Sequence, residues 1–172
     1  MTAQAYTTRM PAGFVGQISR DINGQVVEAE LLDTTNTPAS YGVPVKTTSS
    51  KIRGFVAGDT AAQITGFLVR GYPVQGSLTS PVYTYGSPTP VGGNLGARMR
   101  RGYFFGTCAY GTPAVDGVVY VRVTASGGVR SGGAVGDLEA TSDSVYNSAV
   151  TGARWTGSLS SDGTTAEIAY NM

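Results

Sequence analysis

The chain has 172 residues, a net charge of +1 and 41% hydrophobic residues, which suits one packed domain and excludes the basic stripe of a nucleic-acid binder. It contains no histidine and a single cysteine, Cys108. That excludes a Ser-His-Asp or Cys-His centre, an internal disulfide framework and a Cys/His zinc site.

No run reaches the ~18–20 apolar residues of a membrane-spanning helix. Twenty-five glycines, eight prolines, 21 threonines and 15 serines stand against seven leucines and two lysines. Turn formers are abundant and helix formers scarce, so the chain reads as all-β, built of short strands and many turns. Ten of the twelve basic residues are Arg, whose planar fork of donors suits protein–protein contacts.

The opening segment, 3–21, "AQAYTTRMPAGFVGQISRD", lacks the apolar run and cleavage pattern of an export signal. Pro11, Gly13 and Gly16 break any helix in it. Residues 1–20 therefore read as an extended arm, and 21–172 as the β-rich body. "VVEAELLD" alternates, with Val27, Ala29 and Leu31 expected inward and Val26, Glu28 and Glu30 on the other face. "YGVPVK" is expected as a strand whose Pro44 confines it to an edge or a bulge. After "KIRGFV", Asp59 is placed to cap one short helical turn before a strand at 63–70.

Residues 76–97 hold three of the eight prolines and read as a long exposed loop, with one short hairpin arm around "VYTY". "ARMRRGYFFGTCAY" is a strand with an aromatic centre, and "VVYVRVTA" is the best strand, with Val119, Val121 and Val123 inward and Tyr120, Arg122 and Thr124 outward. A short strand in "DLEA", one in "SVYNSAVTGARW" and the closing "TTAEIAYNM" bring the total to roughly ten strands. That count suits a single β-sandwich or β-barrel domain of short antiparallel strands.

Little here supports chemistry. Glu28 and Glu30, and Asp137 and Glu139, carry a spacing that a two-carboxylate glycosidase could use, but acidic residues at such positions ordinarily face solvent. "ASGGVRSGG" and "VGGNLGA" lack the strand–helix context of a phosphate cradle. Asp162-Gly163 reads as a turn rather than a calcium loop, and Cys108 as a small buried residue. No catalytic residue, metal or cofactor is assigned. Trp155 and the ten tyrosines leave one alternative, a carbohydrate-binding or adhesin-like β-sandwich module.

The start "AYTTRMPAGFVGQISR" resembles the opening of the structural cement, or capsid decoration, proteins of tailed bacteriophages. "YGVPVK", "AGDTAAQITGFLVRGYPVQ", "RRGYFFG", "GTPAVDGVVYVRV" and "DGTTAEIAYNM" follow in the order of that family. The resemblance implies a non-enzymatic subunit made in the host cytoplasm and carried on the outer surface of the virion. Its partners would be the major capsid protein and further copies of itself, a trimer ahead of a dimer, with no nucleic acid and no membrane. On that reading Tyr6, Thr7, Thr8, Arg9, Met10, Pro11 and Phe14 form a capsid-binding arm that pairs with a coat-protein strand edge, Tyr6 and Met10 acting as anchors. Tyr41, Val43, Tyr83 and Tyr85 are second contacts.

Overall fold

The protein is described from a computed structural model covering residues 15–20, 22–70, 89–125, 130, 132–143, 145–157 and 164–172. Among the described residues ten strands follow one another: β1 (Ile18–Arg20), β2 (Val26–Leu32), β3 (Pro44–Thr48), β4 (Lys51–Gly54), β5 (Gly66–Val69), β6 (Leu95–Tyr110), β7 (Val118–Arg122), β8 (Leu138–Glu139), β9 (Asn147–Trp155) and β10 (Thr165–Tyr170). The pairings trace two closed rings of five strands that share β6. One ring runs β6–β2–β4–β3–β5 and back to β6. The other runs β6–β10–β9–β7–β8 and back to β6. The all-β fold expected from the sequence, a single β-sandwich or β-barrel, is thus built as two barrels that share one long strand.

An odd ring cannot close with antiparallel neighbours alone, because the last strand meets the first in the same direction. Each ring solves this with one short parallel seam of two residue pairs: β2 on β4 at Leu31–Lys51 and Leu32–Ile52, and β6 on β8 at Cys108–Leu138 and Tyr110–Glu139. Strand β6 spans roughly 50 Å at the usual rise per residue. Its first half, 95–101, serves the N-terminal barrel, and its second half the C-terminal one. Gly102 marks the changeover with φ +143°, and a Cβ there would press on Met99 and Gln25, so this crossing favours glycine.

The N-terminal barrel encloses a small apolar cluster, Leu32, Val45, Ile52 and Leu68. The C-terminal barrel holds the larger one, including Phe104, Val119, Val121, Leu138, Trp155 and Ile168. Phe67, Val69 and Met99 point out of the first barrel and pack into the second cluster. Phe67 lies 4.7 Å from Phe104 and 4.9 Å from Tyr170, ring centre to ring centre, which ties the barrels together.

Four local expectations change. Strand β3 is internal rather than an edge: Val45 pairs with Gly54 on one side and Gly66 on the other, and Pro44 is tolerated because it is the first strand residue. Thr60, not Asp59, caps the 3-10 turn Ala61–Gln63. On β7, Arg122 is fully buried instead of outward, because acidic partners meet it there. On β2 the faces are reversed, with the apolar Val27 and Leu31 partly exposed and Glu28 and Glu30 turned into the barrel onto Arg98.

Candidate functional site

Residues Tyr6, Thr7, Thr8, Arg9, Met10, Pro11 and Phe14, with Tyr83 and Tyr85, lie outside the described residues. The root of the N-terminal segment lies within them, and it is locked into the body. Gly16 N–H donates to Phe105 O (2.7 Å), Phe105 N–H to Gln17 O (2.9 Å) and Arg70 N–H to Gly16 O (2.7 Å). The Arg70 Nε–H adds a bond to Val15 O at 3.0 Å. Strand β1 then pairs with β6 at Phe104 and Tyr103. So residues 15–20, expected as part of the arm, are integral to the sheet.

Tyr41 and Val43 belong to that same root. The Arg70 guanidinium stacks over the Tyr41 ring, 4.6 Å from its centre. Gly42 and Val43 bond to Leu68 through the backbone. Gly42 has φ +74°, and a Cβ on it would approach Phe105 O to 2.8 Å and the Val15 side chain to 2.7 Å. The close approach of the segment to the barrel thus depends on glycine. The Tyr41 and Val43 side chains are only half-buried, so the structure gathers Tyr41, Val43 and Arg70 around residues 15 and 16. A second clasp holds β1: Arg20 pairs with Glu167 and stacks over Tyr103 at 4.6 Å. Burial would raise the Glu167 carboxyl, but Arg20 and the Thr156 hydroxyl outweigh it and hold it below the ordinary range.

The acidic pairs are engaged elsewhere. Arg98 Nη2 donates to Glu28 at 2.5 Å and to Glu30 at 2.6 Å, while Arg98 Nη1 reaches Thr47 at 2.5 Å. The Glu28 carboxyl is lowered by Arg100 and Arg98, whereas a general acid needs a raised one. Asp137 accepts from Arg130 at 2.7 Å, and Glu139, expected in solvent, is fully buried between Arg122 and Asn147. Burial raises the Cys108 thiol, as fits an inert core cysteine. Trp155 is fully buried, so it has no face to offer a sugar.

Among the described residues no group of three His, Cys, Asp or Glu side chains is placed to share a metal ion, and no helix is long and apolar enough to cross a membrane.

What the sequence reasoning missed is the surface of β2. Val27, Ala29 and Leu31 form an outward apolar row, extended by Leu95, which pairs directly with Leu31 and is 72% exposed. The arginine of "ARMRRGY" that turns these glutamates inward is a signal only once β6 is known to lie opposite β2, because buried charges need such a partner.

A search of curated proteins finds no match. A chain of the solved structure titled "The capsid of Myoviridae Phage XM1" has the same fold, with a TM-score of 0.61 over 99% of this chain and 98% of that one, at 15% identity. The sequence pattern described as structural cement protein (E217 gp24/Pam3 gp6) matches residues 1–171. The chain belongs to the phage structural cement protein family.

Proposed function

We propose that this protein stabilises a phage capsid by binding the outer surface of the assembled shell and bridging neighbouring major capsid proteins, without catalysing a reaction. The observation that carries this reading is the family match along residues 1–171. The physics is linkage. A subunit that binds only the intact shell stabilises it by about 2.7 kcal/mol per site when present at 100 times its Kd, and joined contacts multiply the effect.

In this reading residues 6–14 reach the coat protein, and Tyr41 and Val43 flank the point from which they depart. Fourteen residues can span up to about 50 Å when extended, so one subunit reaches beyond its own footprint. The locked root at Gly16, Phe105 and Arg70 supports the role, because force on the segment passes straight into both barrels. The subunit acts as a homo-oligomer, a trimer ahead of a dimer, so that several such segments engage together.

The test is co-sedimentation of the purified protein with shells assembled without it, using the full chain and a version lacking residues 1–14. The full chain should pellet with the shells, and the shortened one should bind at least tenfold more weakly. Equal binding by both overturns the role of the segment, and no binding by either overturns the cement reading.

A further inference from the structure

Closed barrels hide their strand edges, but among the described residues the N-terminal barrel leaves one open. Backbone parity on β2 identifies the exposed groups. Leu32 N–H donates to Asn94 O at 2.8 Å, on the β6 side, and Asp33 N–H donates to Ile52 O at 2.7 Å, on the β4 side. Because successive residues alternate, the N–H and C=O groups of Val27 and Ala29 also point to the β4 side. Strand β4 is not there to meet them. It touches β2 only at Leu31 and Leu32, and among the described residues no other strand pairs with that side of β2. Two residues therefore present four backbone groups in the geometry of a sheet, with no strand paired to them among the described residues.

The side chains around this edge state what fits it. The outer row, Val27, Ala29, Leu31 and Leu95, is apolar and exposed. The inner row is Glu28 and Glu30, which share a single guanidinium nitrogen of Arg98, while the exposed Arg100 reaches the other Glu28 oxygen at 3.1 Å. A second copy is a poor occupant, since pairing β2 antiparallel with itself sets these glutamates opposite one another. Inward charges of this kind discourage self-association while leaving the edge available to a complementary strand.

We propose that the open edge of β2 at Val27 and Ala29 receives an extended segment of the coat protein, whose residues alternate between apolar side chains over Val27, Ala29 and Leu31 and basic or hydroxyl side chains beside Glu28 and Glu30. This rests on the capsid-binding reading above and adds a second point of grip, in which the subunit accepts a strand as well as extending one.

The experiment uses the full chain and shells assembled without it. Amide exchange is followed in peptides covering 26–31, free and shell-bound, and affinity is measured for Ala29→Pro and Val27→Lys. Proline at 29 removes an N–H that faces the open side and leaves the ladder to β6 intact. Val27→Lys keeps the backbone and spoils the apolar row. The expected results are slowed exchange at 26–31 on the shell and at least tenfold weaker binding by both variants, with unchanged melting temperature and oligomeric state. Wild-type binding with unchanged exchange, or undiminished affinity in Val27→Lys, overturns the proposal. A change of oligomeric state in either variant also overturns it, by assigning the edge to a second copy. Failure of the wild type to bind shells at all removes the cement reading and this proposal together.

Discussion

The two barrels are built alike and finished differently. Each closes five strands with one parallel seam of two residue pairs. In the C-terminal barrel the seam is sealed. Glu139 and Arg122 are fully buried there, 2.7 Å apart, with Asp143 on Arg122 at 2.9 Å and Asn147 on Glu139 at 2.5 Å. At the other seam the charges stay within reach of water, with Glu28 and Glu30 at 36% and 21% exposure, and the β2 edge is open. The difference is in what each seam does with its polar groups: the sealed seam buries its ion pairs, and the open one leaves backbone groups that we propose another chain takes up.

The largest effect should come from the sealed barrel. Trp155→Ala should cost about 3–5 kcal/mol in chemical denaturation, because it empties the centre of the larger core. If the cost were under about 1 kcal/mol, that core would not be the anchor. Next, Glu139→Ala should cost about 3 kcal/mol, since Arg122 would lose its nearest counter-charge where no water can replace it. The matching change in the open barrel, Glu30→Ala, should cost under about 1 kcal/mol. Equal costs would erase the distinction between the seams.

Acid should loosen the open barrel first. Arg100 and Arg98 lower Glu28, and the N–H groups of Asn36 and Thr35 lower Asp33. Asp59 is pushed up by burial, but Lys46, the Val56 N–H and Arg53 outweigh that and bring it below its ordinary value. All three sit on or beside β2–β4, whereas Glu167 alone among the lowered carboxyls sits on β10. A lowered folded-state value means that the stabilisation is complete above the unfolded value, roughly pH 4. It is lost as pH falls through the still lower folded value. Amide protection factors, referred to the intrinsic exchange rate at each pH, should thus be unchanged from neutral pH to about pH 5 and then fall in β2–β4 before β7–β10. The reverse order would contradict the comparison.

The smallest effect concerns the tip of the β3–β4 hairpin beside the open edge. Ser49 and Ser50 both hold positive φ, 50° and 59°, in a two-residue turn that favours Asn-Gly. The double change Ser49→Asn, Ser50→Gly should raise stability by about 1 kcal/mol. A loss of stability would show that the serines make contacts that relieve the strain.

Much of the fold was legible in the sequence because alternation and turn chemistry are local. The valines of β7, the aromatic centre of β6 and the turn-rich composition all point to short strands around an apolar interior. The long-range pairings were not legible. Nothing local says that residues 95–101 and 102–110 serve different barrels, and only the φ of Gly102 marks the change. The faces of β2 were misread for a related reason. "VVEAELL" fits either orientation, and the choice is made by Arg98, some 70 residues away, which pulls Glu28 and Glu30 inward. Arg122 repeats the case, since its acidic partners lie on β8 and in the turn before β9. Family membership was legible because it depends on the order of short motifs rather than on any one contact.

The proposed function requires that this double barrel strengthen the shell that carries it. The most direct measurement is the temperature at which shells rupture, with the protein absent and with its sites saturated. Saturated shells should rupture at a clearly higher temperature, by an amount that rises with free protein concentration as linkage requires. Identical rupture temperatures for bare and saturated shells would contradict the claim.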